Sequence, residues 1–291
     1  MNERWHALVF RVPREIADGL AAELGALGRG VESRRLDHRD EEIRAFLTSR
    51  DQAPAMRAWA ERGLQRLGVD SGATGMRIEE VEDGRWVERY QESLQPFTLG
   101  RRFTVHPRGR VEVEDGRAPL LLIPGRAFGT GEHATTQLCT EQLEDLVDAG
   151  SRWVDLGCGT GILLLVAIAG GAREALGVEI DPDAVDVARE VLAGNGAGER
   201  ATVLCGGLEQ VERGVWDGAI CNISSTFSRM HVADLAELPR PGGVLLVSGV
   251  LEEDLDGLAA DFSRAGMREI ERRTRRPWGL LSLERRGIPA V

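Results

Sequence analysis

The sequence predicts an α/β protein in which a doubly wound, mostly parallel sheet of seven strands follows a small α+β domain. From about residue 130 onward, short apolar segments alternate with segments of helical periodicity, which is typical of a parallel sheet covered by helices on both faces. Residues 153–161 lead from an apolar strand into three glycines, and an apolar helix-like run follows over residues 162–169. Residues 1–83 instead follow the order β-α-β-β-α-β, which is typical of a ferredoxin-like unit.

Composition limits the classes of function. The chain has 291 residues, 42% of them hydrophobic, which is enough for two domains with substantial cores. No apolar run approaches the roughly eighteen residues that span a bilayer, and the first residues lead into no signal-peptide core. We therefore expect a cytoplasmic protein without a membrane partner. The net charge of −11 argues against direct nucleic-acid binding and is compatible with a basic protein partner.

The basic residues and the cysteines exclude further chemistries. All 36 basic residues are arginine, so neither a P-loop lysine nor a Schiff-base lysine is available. The cysteines have no C-x-x-C spacing and no histidine at metal-ligand spacing, and we expect four reduced thiols and no metal site. These residues are Cys139, Cys158, Cys205 and Cys221.

The first part of the chain divides into a ferredoxin-like domain over residues 1–83 and a helical bridge over residues 84–100. The domain's strands are predicted at residues 5–12, 31–36, 43–47 and 76–81, with one helix starting at Pro13 and a second over residues 54–67. In the bridge, Trp86, Val87, Tyr90 and Leu94 share one helical face, and Pro96 ends the helix.

The third region, residues 101–291, is predicted to be the catalytic domain. It begins with extended segments that we expect to form a short antiparallel platform, at residues 102–106, 111–113 and 120–123. Alternating strands and helices follow, and the last two strands, joined without a helix, are expected to form an antiparallel pair at one sheet edge. The later strands are predicted at residues 175–178, 201–204, 216–221, 244–248, 267–272 and 278–283, and the helices at 132–147, 162–169, 184–192, 227–238 and 251–265.

The glycine turn predicts a nucleotide-type ligand. Gly157, Gly159 and Gly161 permit a tight turn and a close approach of the backbone to a ligand, and Glu179 at the end of the next strand can pair with a ribose diol. A dinucleotide site requires G-x-G-x-x-G, and Ile162 stands where the third glycine would be. This spacing favours S-adenosyl-L-methionine over NAD. The alternatives are a tight strand–helix turn without ligand and a solvated acid at position 179.

A second candidate segment is the loop at residues 124–136, which contains three glycines, small hydroxyl residues and a histidine ahead of a helix. Such a loop can close over a ligand, with the helix N-terminus serving carboxylate or backbone groups. His133 is a candidate catalytic proton acceptor, a loop-positioning donor or a satisfied polar residue, and the threonines are alternatively helix caps. The candidate cofactor contacts of this segment are Phe128, Gly129, Thr130 and Thr136.

The third candidate is Asn222, which follows the predicted strand at residues 216–221. Strand carboxyl ends of a doubly wound sheet face the ligand crevice. An amide there can both accept and donate, so it can hold the cofactor's methionine group or orient an amine. We assign Asn222 to cofactor binding and to catalysis; the alternative is an asparagine of a loop turn.

At these residues the chain resembles the bacterial PrmA family, which methylates ribosomal protein L11. The family's loop P-G-x-A-F-G-T-G-x-H-x-T-T is present at residues 124–136, and the segments at 86–90, 157–163 and 222–223 also match. The resemblance implies an S-adenosylmethionine-dependent protein methyltransferase that trimethylates amines, grips its protein substrate with the N-terminal domain, and is expected to be a monomer. It also implies cofactor contacts at Thr136, Gly157, Glu179 and Asn222, and we add Gly159.

The chain departs from the family beside the expected acceptor site. Residues 224–228 read Ser-Ser-Thr-Phe-Ser where the family continues with Leu-Ala and a proline-containing segment, and Glu132 and Ala134 replace a usual threonine and proline. A methyltransferase for another protein or a small amine therefore stays an alternative. A cofactor-binding but inactive interaction module is another, and an NAD dehydrogenase is disfavoured by Ile162.

Overall fold

The computed structural model describes residues 5–14, 16–17, 20, 24, 31–47, 53–66, 69–81, 95–106, 116–122 and 131–287. The chain divides into two compact units. The first comprises Met1–Ser93 with Gly125–Phe128, and the second comprises Leu94–Pro124 with Gly129–Val291.

The first unit contains a four-stranded antiparallel sheet in the order β2-β3-β1-β4, which is the ferredoxin-like order that the sequence predicts. Alternate residues of β1, such as Leu8 and Phe10, point into the core that covers one sheet face. Ile16, Ala17, Leu20 and Leu24 pack into the same core. The elements are β1 (Trp5–Pro13), β2 (Val31–Arg35), β3 (Asp40–Leu47), α1 (Ala53–Arg66), a 3₁₀ turn (Ser71–Thr74) and β4 (Arg77–Val81).

The second unit begins with a small sheet of β5 (Phe97–Leu99), β6 (Phe103–His106) and β7 (Ala118–Leu121). Two expectations are corrected here. Residues 97–99, placed in the helical bridge, form a strand just after Pro96, which disfavours helix; residues 84–94 of the bridge lie outside the described residues. The platform is also mixed rather than antiparallel, since β6 pairs in parallel with β7. The strand expected at residues 111–113 lies outside the described residues.

The seven-stranded sheet has the order β10-β9-β8-β11-β12-β14-β13. Its first five strands are parallel, and β14 pairs antiparallel with both β12 and the edge strand β13. This confirms the predicted doubly wound sheet with an antiparallel edge. The strands are β8 (Arg152–Leu156), β9 (Glu174–Glu179), β10 (Ala201–Cys205), β11 (Trp216–Asn222), β12 (Pro239–Leu251), β13 (Met267–Arg275) and β14 (Trp278–Arg285).

Helices cover both faces of this sheet, and each face has its own apolar core. Helices α2, α3 and α4 bury residues on one face, while α6 and α7 bury residues on the other. Helix α3 is buried from Ile162 to Ile168, because its sequence is apolar on every side. In the described part of the chain, no helix has both the length and the apolar character to cross a membrane. The helices are α2 (Ala134–Leu146), α3 (Ile162–Gly170), α4 (Pro182–Gly194), α5 (Ser225–Met230), α6 (Val232–Glu237) and α7 (Leu255–Arg264).

Three elements of the structure differ in detail from those that the sequence predicts. The helix expected at residues 227–238 is two short helices, because His231 leaves helical dihedrals (φ −116°, ψ 21°) and its N–H closes the first helix on the Phe227 carbonyl. The helix expected at residues 251–265 starts with a 3₁₀ turn, Glu252–Asp254. Strand β12 (Pro239–Leu251) is longer than the strand predicted at residues 244–248, and Gly242 within its added N-terminal part has a φ of 78°.

Candidate active site

The glycine turn leaves strand β8 in a conformation that only glycine adopts readily. Gly157, Gly159 and Gly161 have φ values of 66°, 52° and 76°. The amides of Gly157 and Cys158 donate to the Val178 carbonyl at 2.8 and 3.2 Å. These hydrogen bonds hold the turn against the end of the neighbouring strand β9. The three glycines have no side chains that could cover the backbone of the turn.

Glu179 is the last residue of β9 and is oriented by backbone amides. Its Oε2 accepts from Gly159 at 3.1 Å, and its Oε1 accepts from Ile180 at 2.8 Å and from Asp181 at 3.1 Å. Each carboxylate oxygen has lone pairs beyond these bonds. Gly159 and Glu179, which the sequence singles out separately, thus meet directly, and the carboxylate can accept further hydroxyl donors.

Asp155 lies beneath the turn, inside the sheet. It is 2% exposed and stands in register with Gly177 on β9 and Ile220 on β11. Burial, and then the nearby Glu179, raise the pKa of the Asp155 carboxyl well above its usual range. Burial favours the neutral acid, so Asp155 supports the turn from within the core.

All four cysteines are free thiols, as the sequence predicts. Cys139, Cys158 and Cys221 are buried. Burial raises the pKa of the Cys221 thiol to about 12 and also raises the pKa of Cys139 and Cys158. These three thiols are poor nucleophiles at neutral pH and act as apolar packing residues.

Asn222 occupies the carboxyl end of β11, as the strand's last residue and in register with Ser248 of β12. The preceding residue, Cys221, is in register with Leu156, the residue before the glycine turn. The Asn222 Oδ1 atom is buried and has no hydrogen-bond partner among the described residues. A buried acceptor without a partner is costly unless a ligand supplies a donor.

The next residue, Ile223, fills the space above Gly157. A methyl group on Gly157 would lie 3.0 Å from Ile223 Cγ1 and 3.1 Å from its Cδ1. The absent side chain at Gly157 therefore makes room first for Ile223. The contact of Gly157 with a cofactor stays a prediction.

His133 is the N-cap of helix α2, a role that the sequence analysis gave as the alternative for the threonines. Its Nδ1 lies 2.8 Å from Thr135 Oγ1, and its ring contacts that of Trp278 edge-on, with centroids 4.9 Å apart. Burial lowers the pKa of His133 to about 4. The imidazole is thus uncharged at neutral pH. Thr136, one residue further on, is 2% exposed.

The predicted site residues fall into two groups at the carboxyl edge of the sheet. Gly157, Gly159, Glu179 and Asn222 follow or end three adjacent strands. His133 and Thr136 belong to the start of helix α2, which packs on β11, β12 and β14. Cys139 of that helix hydrogen-bonds Ser248, the residue paired with Asn222. Three predicted cofactor contacts lie outside the described residues: Phe128, Gly129 and Thr130.

Sequence reasoning missed Ile223, Gly249 and Trp278. A glycine inside an apolar strand, as at Gly249, is a known signal for a bulge or a close backbone approach and could have been used. Ile223 and Trp278 carry no such signal, because their contacts join segments that are distant along the chain.

Comparison with known proteins gives consistent matches. The family model described as ribosomal protein L11 methyltransferase (PrmA) matches residues 17–286. Proteins named ribosomal protein L11 methyltransferase are similar to this chain: that of Burkholderia multivorans is 34% identical over 281 residues, 89% of this chain and 91% of that protein. That of Ralstonia nicotianae is 35% identical over 277 residues, which are 88% of this chain and 91% of that protein. The crystal structure of a ribosomal protein L11 methylase from Lactobacillus delbrueckii subsp. bulgaricus has the same fold, with a TM-score of 0.61 at 22% identity over 67% of this chain and 100% of that chain.

Proposed function

Because this chain belongs to the PrmA family of ribosomal protein L11 methyltransferases, we propose that it methylates amine nitrogens of ribosomal protein L11. The methyl donor is S-adenosyl-L-methionine, and the acceptors are lysine side chains, the amino-terminal amine, or both. The observation that carries the proposal is the pairing of Glu179 with the glycine turn on one side and, on the other, the buried Asn222 Oδ1, which has no hydrogen-bond partner among the described residues.

The residues at the sheet edge fit the cofactor. The Glu179 carboxylate, held by three backbone amides, can accept both hydroxyls of a ribose. The backbone of Gly157 and Gly159 contacts the cofactor beside Ile223, and Thr136 at the start of α2 adds a hydroxyl beside the same edge. Phe128, Gly129 and Thr130 are proposed as further contacts. The bound cofactor supplies a methyl group on a positively charged sulfur.

The protein's task is alignment of the acceptor amine. The amine lone pair forms the new N–C bond in line as the C–S bond breaks, the bonding electrons stay on sulfur, and the nitrogen later releases its proton to water. A lysine with a pKa of about 10.4 is about 3.4 pH units too protonated at pH 7, which costs roughly 4.6 kcal/mol. Alignment can contribute about 7–11 kcal/mol, so the reaction does not require a strong base.

Two side chains act on the acceptor. Asn222 Oδ1 accepts a hydrogen bond from the amine and directs its lone pair toward the donor. His133 is uncharged at neutral pH because burial lowers its pKa to about 4. It therefore adds no charge repulsion to an approaching ammonium group, and it can pass the released proton to water.

We also propose the partner and the cellular location of this protein. The N-terminal unit grips the protein substrate, and the net charge of −11 favours a basic partner. Neither direct nucleic-acid binding nor a membrane partner is part of the proposal. We propose a monomeric enzyme of the cytoplasm.

The test combines a labelled transfer assay with one substitution. Wild-type protein is incubated with methyl-labelled S-adenosylmethionine and purified ribosomal protein L11, and modified residues are located by mass spectrometry. Asn222→Ala is expected to lower kcat by about 100-fold, as loss of an aligning contact does, and to change the cofactor Kd, measured by calorimetry, by a smaller factor. Turnover and affinity both unchanged in Asn222→Ala would remove Asn222 from the site.

The sequence of residues 224–228 favours a second candidate function, in which the enzyme methylates a different acceptor. Ser224 caps helix α5 through the Phe227 amide at 3.2 Å, and Ser225 Oγ donates to Asp254 at 2.5 Å. This segment directly follows Asn222 and Ile223 and differs from the family there. The same assay with other ribosomal proteins and with small amines decides between the two: cofactor uptake with label on another acceptor would support the second candidate, and uptake without any transfer would support an inactive module.

A further inference from the structure

Strand β12 contains an irregularity beside Asn222. Its pairing with β14 shifts between Val247, which faces Leu281, and Val250, which faces Gly279. Ser248 and Gly249 therefore together oppose one residue of β14, which is a β-bulge. Ser248 remains in register with Asn222, and its hydroxyl donates to the Gly279 carbonyl at 3.0 Å. Gly249 has a φ of +75°.

The bulge brings Gly249 against the backbone of Ile223. A methyl group on Gly249 would lie 2.8 Å from the Ile223 carbonyl carbon and oxygen and 3.0 Å from its nitrogen. These distances are shorter than van der Waals contact. The atoms concerned are main-chain atoms, which cannot rotate away as a side chain could, so a side chain at position 249 must displace the Ile223 peptide.

The other side of Ile223 contacts the glycine turn. Its Cγ1 and Cδ1 atoms take the space that a methyl group on Gly157 would enter. The rest of the Ile223 side chain is exposed, at 36% of its surface. We call Gly157, Ile223 and Gly249 the glycine clamp, since the residue after Asn222 is held between a glycine of the turn after β8 and a glycine of strand β12.

We propose that Ile223 and Gly249 are positioning residues that fix the separation between Asn222 and the glycine turn. The inference rests on the proposed function, in which Asn222 aligns the acceptor and the turn lies against the methyl donor. Asn222 and Ile223 share one peptide bond, so a displacement of Ile223 moves Asn222. A misplacement of about 1 Å can lower turnover by about 100-fold without removing a catalytic group.

The first test compares two glycines with similar backbones. Gly249→Ala is compared with Gly266→Ala, because Gly266 has a φ of +88° and a methyl group there would meet nothing within 4 Å. Both substitutions carry the cost of an alanine at positive φ, and only the first displaces a neighbour. We expect Gly249→Ala to lower kcat by about 10- to 100-fold with a cofactor Kd within about threefold of wild type, and Gly266→Ala to retain wild-type kcat.

The second test shortens the Ile223 side chain and leaves the backbone conformation unstrained. Ile223→Ala is compared with Ile270→Ala on strand β13, since Ile270 is 40% exposed and Ile223 is 36% exposed. The two are expected to have similar melting temperatures. Only Ile223→Ala is expected to lower kcat, by about tenfold, again with the cofactor Kd little changed. If Gly249→Ala does not fold, the comparison of Ile223→Ala with Ile270→Ala tests the positioning role by itself.

The outcomes separate this inference from the proposed function. An active wild type with kcat unchanged in both Gly249→Ala and Ile223→Ala would overturn the positioning role. The role would also be overturned if the loss appeared only in cofactor Kd, or equally in the Gly266→Ala and Ile270→Ala controls. A wild type that binds S-adenosylmethionine but transfers no methyl to any acceptor would instead contradict the proposed function.

Discussion

Burial favours the uncharged form of two site residues, although it shifts their pKa values in opposite directions. It raises the pKa of the Asp155 carboxyl and lowers that of the His133 imidazole to about 4, because each charged form loses its hydration. Both groups are thereby driven toward their uncharged forms. Asn222, which is neutral at any pH, has a buried Oδ1 atom without a hydrogen-bond partner in the part of the chain that the structure describes.

His133 is expected to make folding stability depend on pH. The unfolded chain takes up a proton there as the pH falls through about 6.5, while the folded chain does so only near pH 4. Between these values the unfolded state binds more protons, so stability is lost as the pH falls through this window. The full shift corresponds to about 3 kcal/mol.

The measurement is urea unfolding near pH 7 and near pH 4.5 for wild type and for His133→Asn, which keeps an N-cap acceptor. His133→Asn should lose less stability than wild type between the two conditions. Equal losses would mean that the folded state does not hold His133 uncharged.

At the scale of elements, helix α2 is attached to the small sheet by Gln137, which accepts from the Gly100 amide and donates to the Thr98 carbonyl, and by the buried carboxylate of Glu144. The Glu144 side chain has no exposed surface. It accepts from the amides of Arg101 at 2.8 Å and Arg102 at 2.7 Å and from Arg101 Nε at 2.8 Å. A methyl group on Gly100 would lie 2.6 Å from its Oε1. Since α2 also carries His133 and Thr136, this attachment contributes to the placement of the site.

Glu144→Ala is expected to destabilise the protein by about 2–4 kcal/mol, because it leaves two backbone donors without their acceptor. Glu141→Ala is the matched control on the same helix: its carboxylate pairs with the half-exposed Arg275, and such pairs contribute less than about 1 kcal/mol. Chemical denaturation of both variants provides the comparison. Similar values for the two would show that the Glu144 bonds are replaced by water at little cost.

At the scale of the whole molecule, the sequence predicts what depends on local pattern and misses what depends on distant contacts. The apolar strands and glycine turn predict the parallel sheet, and strand ends of such a sheet meet at one edge, so Glu179 and Asn222 could be placed together. The parallel pairing of β6 with β7 and the bulge at Gly249 depend on partners far along the chain. The contact of Ile223 with Gly157 is of the same kind, and hydrophobic periodicity does not encode it.

The acidic balance of the whole chain leads to a prediction about the acceptor. If the protein substrate is basic, attraction toward a chain of net charge −11 assists encounter, and added salt weakens it. We expect the KM for the acceptor protein to rise several-fold between about 50 and 400 mM KCl, with kcat and cofactor Kd nearly constant. An acceptor KM that is independent of salt would exclude charge as a contributor to substrate recognition.

The ion pairs of the described residues take their cation from arginine, apart from a contact of His231 with Asp234. A guanidinium is protonated at every physiological pH and offers no free lone pair to an electrophilic methyl group. Because the chain contains no lysine, it offers none of the lysine side chains that the proposed reaction would methylate. Label found on this chain's side chains in a transfer experiment would have to come from chemistry other than lysine methylation.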